Sequence, residues 1–381
     1  MASTKIGFVG LGAMGSVMAP LLANEKTEIL GLDPGRRNMP VPQLTMIEDI
    51  RALSDCEIII LMLPDGEVVK TVAAGLCRTD FSGLLIDMSS SHPVGTRELG
   101  HNLQKHSLRF VDAPVSGGVK KAIDGTLMIM AGGNDEDVIA AIPYLSLLGQ
   151  VIHVGPLGAG HAMKALNNYV SAAGLAASMQ ALATAQQFGI EPSNFVDVIN
   201  GATGRNNTTE VKMRPFIIPR HYVSGFALAL MAKDVGIASD LITRNGFDTA
   251  MTPALNELLA DALRTLGSNA DHTALYDAIF PPPKDRVENK IALAALINDV
   301  FMCNDKNDMI QKLEDARIAC ASLNSVAEVS EHPFLRNRSV EFANMEIEIA
   351  DLPVQTKAGS VTVVPKLGQH TATIRAEFEK L

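Results

Sequence analysis

Gly10-Leu11-Gly12-Ala13-Met14-Gly15 most narrows what this chain can fold into, because it follows an apolar run, Lys5-Ile6-Gly7-Phe8-Val9, and precedes a helical pattern. In a GxGxxG turn between strand and helix, the first glycine makes the tight turn and the second lets backbone approach a pyrophosphate. The third lets the helix pack close, so that its N-terminal amides face phosphate. Alone such a motif is weak, since glycine turns are common; its place at the first strand–helix junction strengthens it. A carboxylate completes the pattern: Asp33 follows a second apolar run, Ile29 to Leu32, eighteen residues beyond Gly15. There it would accept hydrogen bonds from adenosine ribose hydroxyls and repel a 2′-phosphate. The competing reading is a turn-forming Asp before Pro34-Gly35, and Arg36 or Arg37 would instead pair with that phosphate. NAD is the expected cofactor, with NADP as the alternative.

The rest of the first 160 residues fits the same plan. Ile58 to Leu63 and Leu84 to Met88 read as further buried strands, and the segments between runs are long enough for crossover helices. That is the pattern of a parallel α/β sheet, a Rossmann-type domain. Phe110-Val111-Asp112, Leu127 to Met130 and Val151 to Val154 add more strands. From Ala162 to Phe188 the chain turns rich in Ala, Leu, Met and Gln and stops at Gly189, which predicts one long helix with a glycine signal at its end. Helical patterns continue to about Phe280. The expected second domain, residues 161–280, is therefore all-α.

Pro281-Pro282-Pro283 denies backbone donors and fixes φ, so no helix runs through it. It reads as a long loop or a domain boundary, and the composition change after it favours the boundary. Residues 284–381 carry two helical patterns and then alternation at Val340/Phe342 and Val361/Val363, a small mixed α+β extension.

Composition narrows the partners. The 381 residues are 47% hydrophobic and 19% charged with a net charge of −10, which suits a packed globular protein and repels nucleic acid or anionic membranes. No uncharged run approaches the ~20 residues needed to span a bilayer. The first strand starts at Lys5, leaving no room for a signal peptide, so a cytoplasmic protein is expected. Cys56, Cys77, Cys303 and Cys320 form no CxxC pair and are expected to be reduced, structural thiols; no metal site is suggested.

Three further segments carry chemistry. Asp112-Ala113-Pro114-Val115-Ser116-Gly117-Gly118 offers a hydroxyl and glycine amides suited to holding a carboxylate. Gly158-Ala159-Gly160-His161-Ala162-Met163-Lys164 leads into the long helix, and Asn168, four residues on, shares a face with Lys164. Lys233-Asp234 sits in the largely apolar stretch Phe226 to Ile237, where an unpaired lysine would be costly. Each has a plain structural alternative: a hairpin turn, a snorkelling surface lysine, an i,i+4 polar pair. His161, a lone histidine near a helix start, reads as a capping or exposed residue.

Together with the opening glycine motif, these segments resemble the β-hydroxyacid dehydrogenases, typified by 3-hydroxyisobutyrate dehydrogenase and tartronate semialdehyde reductase. The resemblance spans roughly Lys5 to Phe280, with the motifs in the family's order. It implies hydride transfer between a nicotinamide cofactor and a small 3-hydroxy acid or the matching aldehyde acid. It also implies a closing helical domain that usually forms oligomers, here a homodimer or homotetramer. By position it places Leu63 and Pro64 beside the cofactor and Ser90 where the family usually has threonine. Lys233 matches the lysine that approaches the nicotinamide end. Lys164 becomes the general acid/base, Asn168 orients the lysine or the reacting oxygen, and Ser116 to Gly118 hold the substrate carboxylate. The segment Gly204 to Glu210 is expected to line the pocket. A catalytically silent cofactor-binding scaffold competes with this reading, but such relatives typically lose the lysine, and Lys164 and Asn168 are both present.

The tail resembles a different family. Leu313 to Cys320, Val326 to Pro333 and Pro365 to Thr371 look like the C-terminal part of class III CoA-transferases. Those enzymes carry the acyl group on an aspartate from a much earlier region, which has no counterpart here. A fusion with a residual CoA-transferase-related role is the alternative; the expectation is a tail without transferase activity that packs on the helical domain or across a dimer interface.

Overall fold

The computed structural model describes residues 4–36, 43–282, 290–316, 337–342 and 345–350. Two compact units emerge, residues 1–284 and 285–381. The first opens with strands β1 (Thr4–Val9), β2 (Thr27–Leu32), β3 (Thr45–Ile47), β4 (Ile58–Leu61), β5 (Leu84–Asp87), β6 (Arg109–Asp112), β7 (Val115–Ser116), β8 (Leu127–Gly132) and β9 (Gly149–Gly155). They form one sheet in the order β3-β2-β1-β4-β5-β6-β8-β7, with β9 beside β8. From β3 to β6 every pairing is parallel, while β8 runs antiparallel to β6 and β7. Chain order reverses between β1 and β4, so the carboxyl ends of those two strands flank a crevice, the usual ligand position in an open α/β sheet.

The strands are apolar along their length because both sheet faces are covered. Ile6, Phe8, Ile58, Ile60, Leu84 and Ile86 pack into one core, and Val9, Ile59, Leu61, Leu85 and Phe110 into the other. β3 and β7 are absent from the sequence-based reading; at three and two residues they are too short to show a period. The helix after the glycine turn, α1 (Gly15–Met18), is a single turn that tightens into a 3₁₀ segment, Ala19–Leu22, where Pro20 supplies no N–H. The crossover helices α2 (Gly66–Leu76), α3 (Pro93–Gln104) and α5 (Asp135–Leu145) complete the layers, while α4 (Gly118–Ile123) links the antiparallel β7 and β8.

Helix α6 (Ala159–Gln187) begins three residues before the predicted start and ends beside Gly189, whose φ of 76° is left-handed. Its buried residues, from Ala165 and Asn168 through Ala172, Leu175, Met179 and Leu182, recur at three- and four-residue spacing. They form a second core with α7 (Pro192–Gly201), α9 (Leu228–Arg244), α10 (Met251–Leu266) and α11 (Leu275–Ile279). Between α7 and α9 lies the short α8 (Asn207–Val211). The second unit contains α12 (Lys290–Met302), α13 (Lys306–Asp315) and an antiparallel pair, β10 (Asn337–Phe342) with β11 (Met345–Ala350). The predicted alternation at Val340/Phe342 falls on β10. Arg37, Pro283, Cys320, Val361/Val363, Val326 to Pro333 and Pro365 to Thr371 lie outside the described residues.

Of the described cysteines, Cys56 is buried and burial pushes its thiol up to about 11. Cys77 is half-buried and Cys303 is exposed. The expectation of structural thiols throughout is thus corrected at Cys303, whose chain environment on the Met302 side presents apolar side chains to solvent rather than to a core.

Candidate active site

The glycine turn is shaped by close approaches. A Cβ on Gly10, which has φ of 93°, would sit 2.3 Å from the Met62 carbonyl oxygen, and one on Gly15 would sit 2.0 Å from the Gly10 carbonyl oxygen. Side chains are therefore excluded where β1, β4 and the first helical turn meet. A Cβ on Gly12 would meet nothing within 4 Å, so that residue borders open space where a pyrophosphate has room to approach the backbone. Ala13 is exposed beside it, while Leu11 is buried and Met14 packs against the sheet core. These residues fit a dinucleotide.

Asp33, at the end of β2, accepts hydrogen bonds from Leu11 N–H (2.7 Å) and Gly35 N–H (2.8 Å). Asp33 thus closes the Pro34-Gly35 turn, as one sequence reading had it, and also braces the glycine loop. Each oxygen keeps a lone pair for a ribose hydroxyl.

Across the crevice, Leu63 N–H donates to Ser89 Oγ (2.9 Å), which ties the loop after β4 to the loop after β5. Lys233 of α9 donates from Nζ to the carbonyls of Pro64 (3.2 Å) and Ser90 (3.0 Å). The costly unpaired lysine is thus avoided, and α9 is fastened to the loops after β4 and β5. Ser90 Oγ donates to Asp234 Oδ1 (2.6 Å). A cleft of about 210 Å³ lies among Asp65, Ser90, Ser91, His92 and Lys233.

Lys164 and Asn168 occupy one face of α6 against α9. Asn168 Nδ2 donates to Asp234 Oδ2 (2.6 Å) and its Oδ1 accepts from Asn167 Nδ2 (3.0 Å), leaving its second N–H for another acceptor. Among the described residues no hydrogen bond or ion pair engages Lys164 Nζ, which lies 6.0 Å from the centroid of the Phe226 ring. Burial lowers its pKa below the ordinary lysine value; the nearby Lys233 charge adds to that, while Asp234 opposes it. A proton can therefore be held or released here nearer neutrality than on a surface lysine.

Ser116, at the end of β7, precedes Gly117 (φ 140°) and Gly118 (φ 68°), where α4 starts. A Cβ on Gly118 would meet nothing within 4 Å, so that residue borders open space, whereas one on Gly117 would sit 2.7 Å from Lys121 Cδ. Among the described residues no hydrogen bond joins Ser116 to Gly118 with Lys164 or Asn168. In the segment Gly204 to Glu210, Asn206 Nδ2 donates to Ser178 Oγ (2.9 Å). Ser178 is fourteen residues beyond Lys164, about 21 Å along the helix axis.

His161 corrects the sequence reading most sharply. It is 1% exposed and does not cap the helix with its side chain. Its ring pairs with Thr96 Oγ1 through Nδ1 (2.8 Å) and with the Ser89 carbonyl through Nε2 (3.2 Å). The capping is done instead by Asp112, whose carboxylate accepts from Gly158 N–H and His161 N–H, both at 2.7 Å. Burial raises the pKa of Asp112, against the influence of His161 and those two amides. Sequence reasoning assigned no role to Asp87, Asp112 or Asp234. The available signal was a carboxylate ending each of two adjacent buried strands, where Asp87 and Asp112 stand in register. Among the described residues no cluster of three metal-ligating side chains occurs, and no helix is long and apolar enough to cross a membrane.

Residues 5–155 match the NAD-binding domain of 6-phosphogluconate dehydrogenase, residues 158–279 the NAD-binding domain of NADP-dependent 3-hydroxyisobutyrate dehydrogenase, and residues 242–371 CoA-transferase family III. The chain is 34% identical to 2-(hydroxymethyl)glutarate dehydrogenase of Eubacterium barkeri over 267 residues, covering 67% of this chain and 88% of that one. It is also 34% identical to a probable 3-hydroxyisobutyrate dehydrogenase of Mycobacterium tuberculosis over 303 residues, 75% of this chain and 99% of the relative. A solved structure of the Mycobacterium tuberculosis 3-hydroxyisobutyrate dehydrogenase with L-serine superposes with a TM-score of 0.67 at 29% identity, covering 73% of this chain and 99% of that one.

Proposed function

The chain belongs to the β-hydroxyacid dehydrogenase family of NAD(P)-dependent oxidoreductases, and from that premise we propose that it interconverts a small 3-hydroxy acid and its aldehyde acid, with Lys164 as general acid/base. The observation that carries this is Lys164, half-buried on the α6 face it shares with Asn168, without a hydrogen-bond partner for Nζ among the described residues and with its pKa lowered by burial.

Gly10 to Gly15 and Asp33 would hold a nicotinamide dinucleotide, which would accept or return the hydride. In the oxidising direction, neutral Lys164 takes the proton of the substrate hydroxyl while the carbinol carbon loses its hydride; in the reducing direction, protonated Lys164 returns that proton to the carbonyl oxygen. Ser116 Oγ and the amides at Gly117 and Gly118 receive the substrate carboxylate, and Asn168 steadies the reacting oxygen with its remaining N–H. Lys233 and Ser90, already joined to each other and to α9, hold the nicotinamide side of the crevice.

The test is NAD-linked turnover across a panel containing 3-hydroxyisobutyrate, 2-(hydroxymethyl)glutarate and 2-hydroxy-3-oxopropionate, followed by reduced-nicotinamide absorbance. Lys164→Ala should leave NAD binding nearly intact and lower turnover ~100-fold or more. Lys164→Arg should not restore it, because a guanidinium keeps its proton at any working pH. Near wild-type turnover in Lys164→Ala would remove the lysine from the mechanism. Tight NAD binding without turnover of any acid would instead indicate a scaffold.

A further inference from the structure

We propose that His161, buried and outside the reacting groups, is a positioning residue that locks the lysine-bearing first turns of α6 to the cofactor-side loop after β5. The inference rests on the reading of Lys164 as acid/base.

The helix start has little of its own to fix it. Its N-cap is Gly158, with φ of 85° and no side chain. Gly160 lies against the sheet so closely that a Cβ there would sit 2.2 Å from the Met130 carbonyl oxygen and 2.8 Å from Asp112 Oδ2. Orientation must come from Asp112 below and from His161 at the side. The His161 ring is fully buried, with Asp112 Oδ2 3.5 Å from Nδ1 and Asp87 Oδ2 3.7 Å from Nε2. Nε2 donates to the Ser89 carbonyl and Nδ1 pairs with Thr96, whose hydroxyl also lies 3.2 Å from the His92 carbonyl. Ser89 in turn receives Leu63 N–H, its neighbour Ser90 receives Lys233, and Asp87 holds Ser89 N–H and Ser91 Oγ.

One imidazole therefore joins the loop that faces the cofactor to a helix that presents Lys164 a single turn later. Hydride and proton transfer must share one geometry, and a displacement of about 1 Å between the two parties can cost ~100-fold in rate. An apolar side chain at position 161 would leave the Ser89 carbonyl without its ring donor and Asp112 with only its two backbone amides, so the side-on tie between the helix start and the β5 loop would be lost.

The experiment measures kcat and KM for NAD and for the hydroxy acid in His161→Leu, His161→Gln and Thr96→Val, with Leu and Gln also placed in a Lys164→Ala background. We expect His161→Leu to lower kcat by about tenfold or more, with a smaller change in either KM. His161→Gln, whose carboxamide still donates to the Ser89 carbonyl, should recover most of that loss. With Lys164 already replaced, His161→Leu should cost no further kcat, since the two act as one unit. Equal losses in both backgrounds, or unchanged kcat in a folded His161→Leu protein, overturn the positioning role alone. Wild-type turnover in Lys164→Ala overturns the lysine reading and this inference with it. If His161→Leu does not fold, Thr96→Val decides: a drop in kcat of at least about threefold, a scale set by partial misalignment, supports the proposal, and unchanged kcat and KM overturn it.

Discussion

Asp33 and Asp234 show how single carboxylates set both choice and pH response. Asp33 braces Leu11 and Gly35 and still offers lone pairs toward a ribose. Asp33→Ser should therefore narrow or reverse a preference for NAD over NADP, measured as the ratio of kcat/KM values; comparable values in the wild type would assign the adenosine end to Arg36 or Arg37. Asp234 works on Lys164 through charge. Its carboxylate raises the lysine's pKa against the larger effect of burial. Oxidation needs the neutral amine, so its rate rises with pH through that pKa; reduction needs the ammonium and falls over the same range. Asp234→Asn removes the opposing charge, so both limbs should move to lower pH, read from midpoints of the kcat profiles rather than their heights. An unmoved or alkaline-shifted midpoint would contradict the assignment. At this scale the sequence was informative where placement follows local spacing, as with the turn at Gly10 to Gly15 or the helix face that Lys164 and Asn168 share. It misled on His161, read as a capping or exposed residue, because that burial is created by α3, β5 and β6 together.

Among elements, α6 bears the most consequence, and its start shows what a period cannot reveal. Buried positions repeating every three to four residues made the helix and its glycine-marked end legible. The extra turn at Ala159 to His161 was hidden because Asp112, nearly fifty residues earlier, satisfies its amides. Gly160 makes that docking close enough to work. Gly160→Ala should cost about 1–3 kcal/mol through overpacking against Met130 and Asp112, seen as a lowered Tm. If the helix start moves to relieve the clash, kcat should fall more than the folded fraction does. Unchanged Tm and kcat would mean that the contact is looser than its geometry implies. The short strands β3 and β7 escaped notice for another reason: pairing with long neighbours, rather than local pattern, makes them strands.

For the whole molecule, two family resemblances overlap on residues 242–279, which fit both the dehydrogenase and the CoA-transferase family models. Packing decides which unit those residues serve. Leu255, Leu259 and Ala262 of α10, with Leu275 and Tyr276 of α11, are buried in the core that α6 and α9 build, so they belong to the dehydrogenase unit whatever their ancestry. Cutting at residue 242 would expose that core; cutting after residue 284 follows the division into compact units. A protein ending there should fold and keep NAD-linked turnover within about threefold, since no residue proposed for the site lies beyond it and losses of that size fall short of a missing acid/base. The removed part includes α12, which exposes Leu296, Ile297, Val300, Phe301 and Met302. Apolar surface of that kind favours association, so the truncated protein should differ from the full chain in oligomer mass or solubility, as sedimentation would show. The full chain should transfer no CoA between acyl donors and acceptors. A carboxylate nucleophile requires a pocket with oxyanion donors around it, and the segments quoted for the tail resemble only the C-terminal part of that family. Measurable CoA transfer by the intact protein, or loss of NAD-linked turnover in a truncated protein that still folds, would each show that the second unit takes part in chemistry.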